Sequence, residues 1–223
     1  MKKKILVLGG GFSKERSISL KSAKAVIKSI NNIYKVKFCD PCDNFFKIIE
    51  KFRPDVIFNA LHGRFGEDGY VQSILEILNV KYTHSGVISS MSAMDKEISK
   101  KIFKKNNILT PRYLKIKNNY KNVDYKKIKN FINYPLVVKP INEGSSLDVY
   151  ICNNKFSLKT KLKKMANYKE ILVEKFIPGR EIQVAIMGNK NLGAIELKPK
   201  RKFYDYKAKY YSNAKTQHII PVN

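Results

Sequence analysis

The feature that most constrains this sequence is a regular alternation of strand-like and helix-like segments over its first ~95 residues. Short apolar runs alternate with longer amphipathic stretches, a pattern typical of a parallel α/β sheet. The predicted strands are 4–9, 34–39, 55–61 and 80–83, and the predicted helices are 15–30, 44–52, 68–78, 85–94 and 95–106. We therefore predict an N-terminal α/β domain over residues 1–95.

The remaining residues show a mixed α+β pattern without regular alternation. The predicted strands here are 112–117, 135–140, 147–152 and 171–176, and the predicted helices are 125–133 and 156–165. Gly179 and Gly188 mark the turns of an antiparallel pair of strands, 181–187 and 192–197. Residues 198–223, rich in lysine and aromatic side chains, are predicted to form a loop. We divide this part into a central segment, 96–178, and a second segment, 179–223.

The composition favours a packed protein that acts in the cytoplasm. Apolar residues make up 43% of the chain, and no apolar run approaches the ~18 residues that a membrane span requires. Three lysines and a short apolar run open the sequence, but the turn Gly9–Gly11 ends that run too early for a signal peptide. Cys39, Cys42 and Cys152 are expected to be structural thiols in a reducing compartment. No membrane partner is expected.

The formal net charge of +26 raises nucleic-acid binding as an alternative. However, 38 of the 44 basic residues are lysines, and they are spread over the polar positions of amphipathic segments. They form neither an arginine-rich arm nor a basic stripe that alternates with aromatic residues. The abundance of Lys, Ile, Asn, Tyr and Phe is what an A/T-rich genome produces. We therefore expect no nucleic-acid partner.

Two loops of the N-terminal domain carry candidate functional residues. Gly9–Gly11 lies between a strand and a helix, where backbone amides could hold an anion, and Glu15 follows in the first helical turn. Alternatively, Glu15 merely complements the helix dipole. The loop 62–69 begins with His62 and follows a buried strand at its C-terminal end. Ligands bind at this position in open α/β sheets, so a functional role is favoured for His62.

The second block contains a candidate nucleotide site. Lys139 closes a predicted strand, where a lysine needs an anionic partner such as a phosphate. The polar loop 142–146 follows, and its amides and hydroxyl groups suit oxyanions. Glu174 ends another strand and Glu181 lies close after it, so their carboxylates could bind ribose hydroxyls. These residues indicate an ATP-binding α+β module.

Seven motifs that occur in order along the chain resemble one known family, the D-alanine–D-alanine ligases of the ATP-grasp superfamily. The motifs lie at residues 10–19, 61–69, 94–96, 138–140, 143–146, 174–175 and 203–210. The resemblance covers essentially the whole chain. It implies a pre-ATP-grasp domain at residues 1–95, a central ATP-grasp subdomain at 96–178, and the start of a C-terminal subdomain at 179–223.

The resemblance also implies a role for each matching residue. Glu15 would anchor the amino group of the first D-alanine, and Ser145 and Tyr210 would join it in a hydrogen-bonded chain that closes a loop over the site. The implied substrate-binding residues are His62, Gly144 and Ser146. The implied ATP-binding residues are Lys96, Lys139, Glu174, Lys175, Glu181 and Lys209.

The implied reaction is ATP-dependent formation of D-alanyl-D-alanine for peptidoglycan synthesis. ATP would phosphorylate the carboxylate of one D-alanine, and the amine of the second would attack the acyl phosphate, with Mg²⁺ or Mn²⁺ neutralising the moving charge. The resemblance further implies a homodimer formed through the N-terminal domain. The alternatives are a related ligase with D-lactate or D-serine as acceptor, or a non-catalytic nucleotide-binding remnant.

The sequence departs from the family pattern in three places. His84 stands where the family usually has glycine, and Asp148 replaces a glycine common just after the Ser-Ser pair, so backbone freedom should differ slightly at both. The family's final third, which carries its metal ligands and an arginine that would steady the oxyanion, has no counterpart in residues 211–223. We therefore expect no metal ligand in these residues and interpret the chain as an inactive fragment.

That interpretation predicts that residues 1–223 alone form no D-alanyl-D-alanine. Moving a γ-phosphoryl group concentrates negative charge that lysines alone do not bridge in line. Phosphate release from ATP, magnesium and D-alanine is the assay. Sustained D-alanine-dependent turnover above that of a Lys139→Ala variant would contradict the prediction.

Overall fold

The protein is described by a computed structural model that covers residues 2–117, 122–201 and 203–222. The chain divides into two compact units. The first contains Met1–Ile102 together with Asn142–Gly144, and the second contains Phe103–Ile141 together with Ser145–Asn223. No helix in the described residues is long and apolar enough to cross a membrane.

The first unit is built on a parallel sheet, as the alternating pattern predicts. Its strands are β1 (Lys4–Leu8), β2 (Lys35–Cys39), β3 (Val56–Asn59) and β4 (Lys81–Tyr82), in the order β2-β1-β3-β4. Its helices are α1 (Arg16–Ile30), α2 (Phe45–Phe52), α3 (Tyr70–Ile77), α4 (Val87–Met94) and α5 (Lys96–Lys105), the last of which runs into the second unit. The predicted bounds agree with these to within a few residues.

The central strand β1 is buried on both faces, which explains its continuous apolar run. Leu6 and Leu8 pack in one cluster with the apolar side of α2, while Val7 packs in another with Ala23 of α1. All four residues from Ile5 to Leu8 are almost fully removed from water. Each such side chain contributes roughly 1.5–3 kcal/mol of hydrophobic stabilisation. The strand therefore fixes where its C-terminal turn begins.

The second unit contains two antiparallel sheets. The larger one has the order β5-β8-β6-β7, and its strands are β5 (Tyr113–Lys117), β6 (Leu136–Pro140), β7 (Tyr150–Cys152) and β8 (Glu170–Lys175). The helices α6 (Tyr125–Ile132) and α7 (Lys155–Lys164) pack on it, and their buried Ile128, Leu158 and Leu162 join Val138 and Val173 in one core.

The smaller sheet has the order β11-β10-β9, with strands β9 (Glu181–Met187), β10 (Lys190–Lys198) and β11 (Gln217–Ile219). All residues of β9 are exposed, including the apolar Ile182, Val184 and Ile186 that alternate along one face. The turn glycines Gly179 and Gly188 predicted the bounds of β9 correctly, although none of its residues is buried.

Two predicted elements need correction. The predicted strand 147–152 begins only at Tyr150, because Asp148 adopts a left-handed backbone angle that a strand cannot contain. The predicted loop after residue 198 contains the short helix α8 (Tyr206–Tyr210), a 3₁₀ turn at Ser212–Ala214 and strand β11. Asp205 explains α8, since its carboxylate accepts the Ala208 N–H at 2.8 Å and caps the helix.

Close packing at Gly9 generates a stability prediction. A Cβ at this position would lie 2.5 Å from the Cβ of Ala23 and 3.1 Å from the ring of Phe38. Gly9→Ala should therefore lower the free energy of unfolding by about 1–3 kcal/mol through overpacking. The measurement is urea unfolding. The control Gly86→Ala meets nothing closer than 3.8 Å and should cost about 1 kcal/mol or less. Equal losses in the two variants would contradict the packing argument.

Candidate functional site

The turn Gly9–Gly11 after β1 does not act as an anion cradle. Its first amide donates to the carbonyl of Cys39 at 3.1 Å, its second to Oγ of Ser19 at 2.9 Å, and its third to Oδ1 of Asp40 at 3.0 Å. Because all three N–H groups have partners within the first unit, the expectation that they could hold a ligand's anion is wrong. The glycines serve close packing instead.

Asp40 organises this turn, and sequence reasoning did not single it out. Its carboxylate forms an ion pair with Arg16 at 2.6 Å, and Arg16 also donates to the carbonyl of Gly11 at 3.0 Å. Burial by itself raises the pKa of Asp40, but hydrogen bonds from Arg16 and from the N–H groups of Cys42 and Gly11 outweigh burial and lower it to about 2. Arg16, at the start of α1, is therefore held against the turn.

Glu15 occupies the N-cap position of α1, one residue earlier than the predicted first turn, and only 3% of it is exposed. A Cβ on Gly63 would lie 2.7 Å from Oε2 of Glu15, and a Cβ on Gly144 would lie 3.3 Å from the same atom. The two glycines thus leave room at the carboxylate that any other residue would fill. A buried carboxylate at a helix N-terminus, with space beside it, suits a small ammonium group.

His62 lies in the same unit and is oriented from both ring nitrogens. Nε2 is 3.0 Å from Oγ of Ser22, and Nδ1 is 3.9 Å from Oε1 of Glu67. The other oxygen of Glu67 accepts the N–H of Gly63 at 2.7 Å. Gln72 of α3 also fixes the loop that carries His62, because its side-chain amide donates to the carbonyl of Gly66 at 2.8 Å. This loop is therefore ordered by its own polar side chains.

The implied ATP ligand Lys96 contacts protein rather than open space. Its ammonium group donates to the backbone carbonyl of Glu143, and the carboxylate of Glu143 pairs with Lys14 at 3.3 Å. These two lysines fix the segment Asn142–Gly144 within the first unit. Since Gly144 is one of the two glycines beside Glu15, Lys96 and Lys14 help to place that glycine.

In the second unit, the serine loop (residues 145–148) is held in an unusual conformation. Ser145, Ser146 and Asp148 have φ values of 49°, 58° and 52°. Each left-handed non-glycine residue costs roughly 1–2 kcal/mol, so side-chain contacts must compensate. Oγ of Ser145 lies 2.6 Å from the hydroxyl of Tyr210, and Ser146 donates to the carbonyl of Tyr204 at 3.0 Å. The implied pair Ser145 and Tyr210 is thus in direct contact.

The lysine that closes β6 has an anionic partner within the protein. Nζ of Lys139 contacts Oε1 of Glu174 on β8, and their side chains are only 20% and 10% exposed. Two residues implied to bind ATP therefore pair with each other across the sheet. Lys175 donates to the carbonyl of Tyr134 at 3.2 Å.

Lys209 on α8 and Glu181 at the start of β9 interact through charge. Nζ of Lys209 lies 5.2 Å from the ring centroid of Tyr204, a cation–π distance. Desolvation raises the pKa of Glu181, and the positive charge of Lys209 opposes this rise. Arg201 holds Asp205 through its Nε, 2.9 Å from both carboxylate oxygens, so the segment that carries Tyr204 is anchored.

A cavity of about 770 Å³ in the second unit has the size of a small-molecule site. The serine loop forms part of its wall, together with Phe176, Phe203 and Tyr206. Ser146 belongs to this wall, whereas Lys139, Glu174, Glu181 and Lys209 are not among its lining residues.

Comparisons with known proteins agree with this fold. A family model described as D-ala D-ala ligase C-terminus matches residues 102–223, and one described as D-ala D-ala ligase N-terminus matches residues 42–85. The D-alanine–D-alanine ligase of Pelagibacter ubique is 63% identical over all of this chain, which spans 74% of that relative. The corresponding enzyme of Wolbachia pipientis wMel is 44% identical over 97% of this chain and 68% of its own length.

Solved structures give the same result. D-alanine–D-alanine ligase from Bacillus anthracis superimposes with a TM-score of 0.85 at 33% identity, over 99% of this chain and 72% of that one. The VanG D-Ala:D-Ser ligase of Enterococcus faecalis gives 0.80 at 25% identity, over 100% and 77%. The parallel α/β unit and the antiparallel unit with its Lys–Glu pair and serine loop thus have the ATP-grasp ligase fold. Within that class, the chain belongs to the D-alanine–D-alanine ligase family.

The low pKa of Asp40 predicts how stability depends on pH. Because its pKa falls from 3.8 to about 2 on folding, the carboxylate contributes about 2 kcal/mol above pH ~4, and this contribution disappears as the pH falls toward ~2. Asp40→Asn should therefore be less stable by about that amount at pH 7, and the difference should shrink to roughly half at pH 3 and vanish only below pH ~2.

Urea unfolding at pH 7, 5, 4 and 3 measures this difference. Asp43→Asn is the control, because Asp43 is exposed three residues away. A pH-independent difference between Asp40→Asn and the unaltered protein would show that the ion pair is not the cause.

Proposed function

We propose that this chain supplies the first-substrate and nucleotide-binding residues of an ATP-dependent ligase that joins two D-alanines. The observation that carries the proposal is the buried carboxylate of Glu15 beside Gly63 and Gly144. The amino group of D-alanine is a small cation that fits such a space, and it would lose its water there only against a fixed negative charge. The D-alanine–D-alanine ligases to which the chain is 63% and 44% identical support this substrate.

The remaining roles in the first unit follow from its geometry. His62, oriented by Ser22 and Glu67, is the residue that we assign to the carboxyl group of the same D-alanine. Lys96 holds the backbone that precedes the serine loop, so we assign it both to that segment and to ATP phosphate.

In the second unit, we assign Lys139 and Lys209 to the phosphates of ATP, and Glu174, Lys175 and Glu181 to its adenosine. A solved D-alanine–D-alanine ligase from Bacillus anthracis complexed with ATP, with a TM-score of 0.81 and 30% identity, supports nucleotide binding by this fold. The side chains of Lys139 and Glu174 are already paired and largely buried, so we expect them to move little when a nucleotide binds. Ser145 and Tyr210 would hold the serine loop over the reacting groups and exclude water, as Ser146 would from the same loop. That Glu15, Ser145 and Tyr210 act together stays a prediction.

The chemistry requires a group that activates a carboxylate. A carboxylate is a poor electrophile, and transfer of the γ-phosphoryl group converts one of its oxygens into a leaving group. The amine of the second D-alanine then attacks the acyl carbon, and phosphate departs. Fixed lysine charges favour this transfer because they stabilise charge that develops on the phosphoryl oxygens.

Magnesium or manganese is the metal that such phosphoryl transfer ordinarily uses. Among the residues that the structure describes, no cluster of three or more His, Cys, Asp or Glu side chains could hold a metal ion. The described side chains therefore offer no such cluster for a metal held by the protein alone, and we derive no step through one. We further infer a role in peptidoglycan synthesis in the cytoplasm and a homodimer formed through residues 1–95. The division at residues 95 and 178 also stays a prediction.

The nucleotide role of Lys139 is directly testable. Lys139→Ala should weaken ATP binding by about 1–3 kcal/mol, or roughly 5–150-fold in Kd, because a charge-assisted contact in a desolvated place is lost. Titration calorimetry with ATP measures this change. Lys117→Ala, which removes an exposed lysine from β5 in the same sheet, should leave the Kd unchanged.

The variant Lys139→Arg keeps the charge beside Glu174 and separates a lost ligand from a damaged sheet. If Lys139→Ala bound ATP as tightly as the unaltered protein while it remained folded, the assignment would be wrong.

A further inference from the structure

The carboxylate of Asp148 joins two segments of the second unit that are distant in sequence. Its Oδ1 accepts a hydrogen bond from the hydroxyl of Tyr150 at 2.9 Å, and its Oδ2 accepts one from Tyr168 at 2.6 Å. Tyr150 opens β7, while Tyr168 precedes β8. One side chain at the end of the serine loop is thus held from two directions.

The two tyrosines are themselves fixed. Both rings pack against the core of the larger sheet, and the ring of Tyr150 also lies 4.6 Å from Nζ of Lys161. The backbone N–H of Tyr168 donates to the carbonyl of Met165 at 2.9 Å. Burial and the hydrogen bond to Asp148 raise the pKa of Tyr150 to about 12, so its hydroxyl remains a donor over the whole neutral range.

The backbone at Asp148 needs such an anchor. At φ 52°, it lies in the left-handed region, which glycine enters without cost and which aspartate tolerates better than most other residues. A glycine here would relieve the strain but would offer no side chain to hold. Asp148 accepts the strained angle and gains two hydrogen bonds to rigid partners. An aspartate at this position therefore indicates that the backbone of the serine loop has to be anchored by a side chain rather than left free to move.

We propose that Asp148 is a positioning residue that pins the serine loop in its left-handed conformation through the hydroxyl groups of Tyr150 and Tyr168. At the other end of the loop, Ser145 contacts Tyr210 and Ser146 contacts the carbonyl of Tyr204. The pin and these two contacts hold the loop at both ends, so the two serine hydroxyls are presented in fixed directions. The effect of these contacts on ligand binding rests on the proposed nucleotide-binding role of the second unit.

The test measures the loop separately from ligand binding. Amide hydrogen exchange over residues 144–149, corrected for intrinsic rates, reports the loop, and calorimetry with ATP reports binding. Asp148→Gly should lower the protection of this segment about tenfold, because local opening no longer breaks two hydrogen bonds. It should weaken ATP binding about 5–10-fold, since fewer molecules hold the competent loop.

Asp148→Asn is the conservative rescue, because an amide of the same shape tolerates the left-handed region and can bond to both hydroxyls. Its protection should stay within about threefold of the unaltered protein. Tyr150→Phe and Tyr168→Phe each remove one hydrogen bond and keep the ring, so each should fall between the Asn and Gly variants. Lys215→Gly is the matched control, because Lys215 is exposed at φ 50° and its replacement relieves the same strain. It should leave the protection of residues 144–149 unchanged.

Two results would overturn the proposal. One is protection in Asp148→Gly within twofold of the unaltered protein, and the other is an Asn variant as unprotected as the Gly variant. If the Asp148 variants change the exchange protection of residues 144–149 as expected but the unaltered protein binds no ATP, the positioning role of Asp148 is supported and the proposed function is wrong. If the unaltered protein binds ATP but the Asp148 variants leave the exchange protection of residues 144–149 unchanged, the positioning role is wrong and the proposed function is unaffected.

Discussion

The parallel register of the buried strand β1 with β2 and β3 is the constraint on which the first unit depends. Leu8 of β1 lies beside Cys39 of β2 and beside Asn59 of β3, so all three strands end at one edge of the sheet. The chain segments that leave these ends are therefore neighbours, whatever their separation in sequence. That edge brings together the glycine turn, the carboxylate of Asp40 and the loop of His62. The burial of β1 on both faces keeps the edge in place.

Side chains at this edge fix one another before any ligand binds. Asp40 holds Arg16, Arg16 holds the glycine turn, and the adjacent Glu15 occupies the N-cap position of α1 beside Gly63. The ion pair with Arg16 and the N–H groups of Gly11 and Cys42 allow the carboxylate of Asp40 to be buried. Preorganisation of this kind favours catalysis, because little rearrangement is needed when the substrate arrives.

The second unit uses strain and pairing in the same way. Three left-handed residues in a short loop are tolerated because Tyr210, the carbonyl of Tyr204, and Tyr150 with Tyr168 hold their side chains. Lys139 and Glu174 neutralise each other across the adjacent strands β6 and β8.

The strand and helix pattern, the parallel sheet and the order of the motifs could be predicted from the sequence, because hydrophobic periodicity and glycine turns are local properties. It also pointed to Lys139 as a lysine in need of an anion, and to Ser145 with Tyr210 through family resemblance. Which partner each group has depends on the tertiary structure. Glu174 faces Lys139, internal acceptors occupy the amides of the turn 9–11, and Asp40 and Asp148 organise the loops. Hydrogen-bond partners 20 to 65 residues apart leave no periodic trace in a sequence, since they depend on how packed strands bring distant segments to the same place.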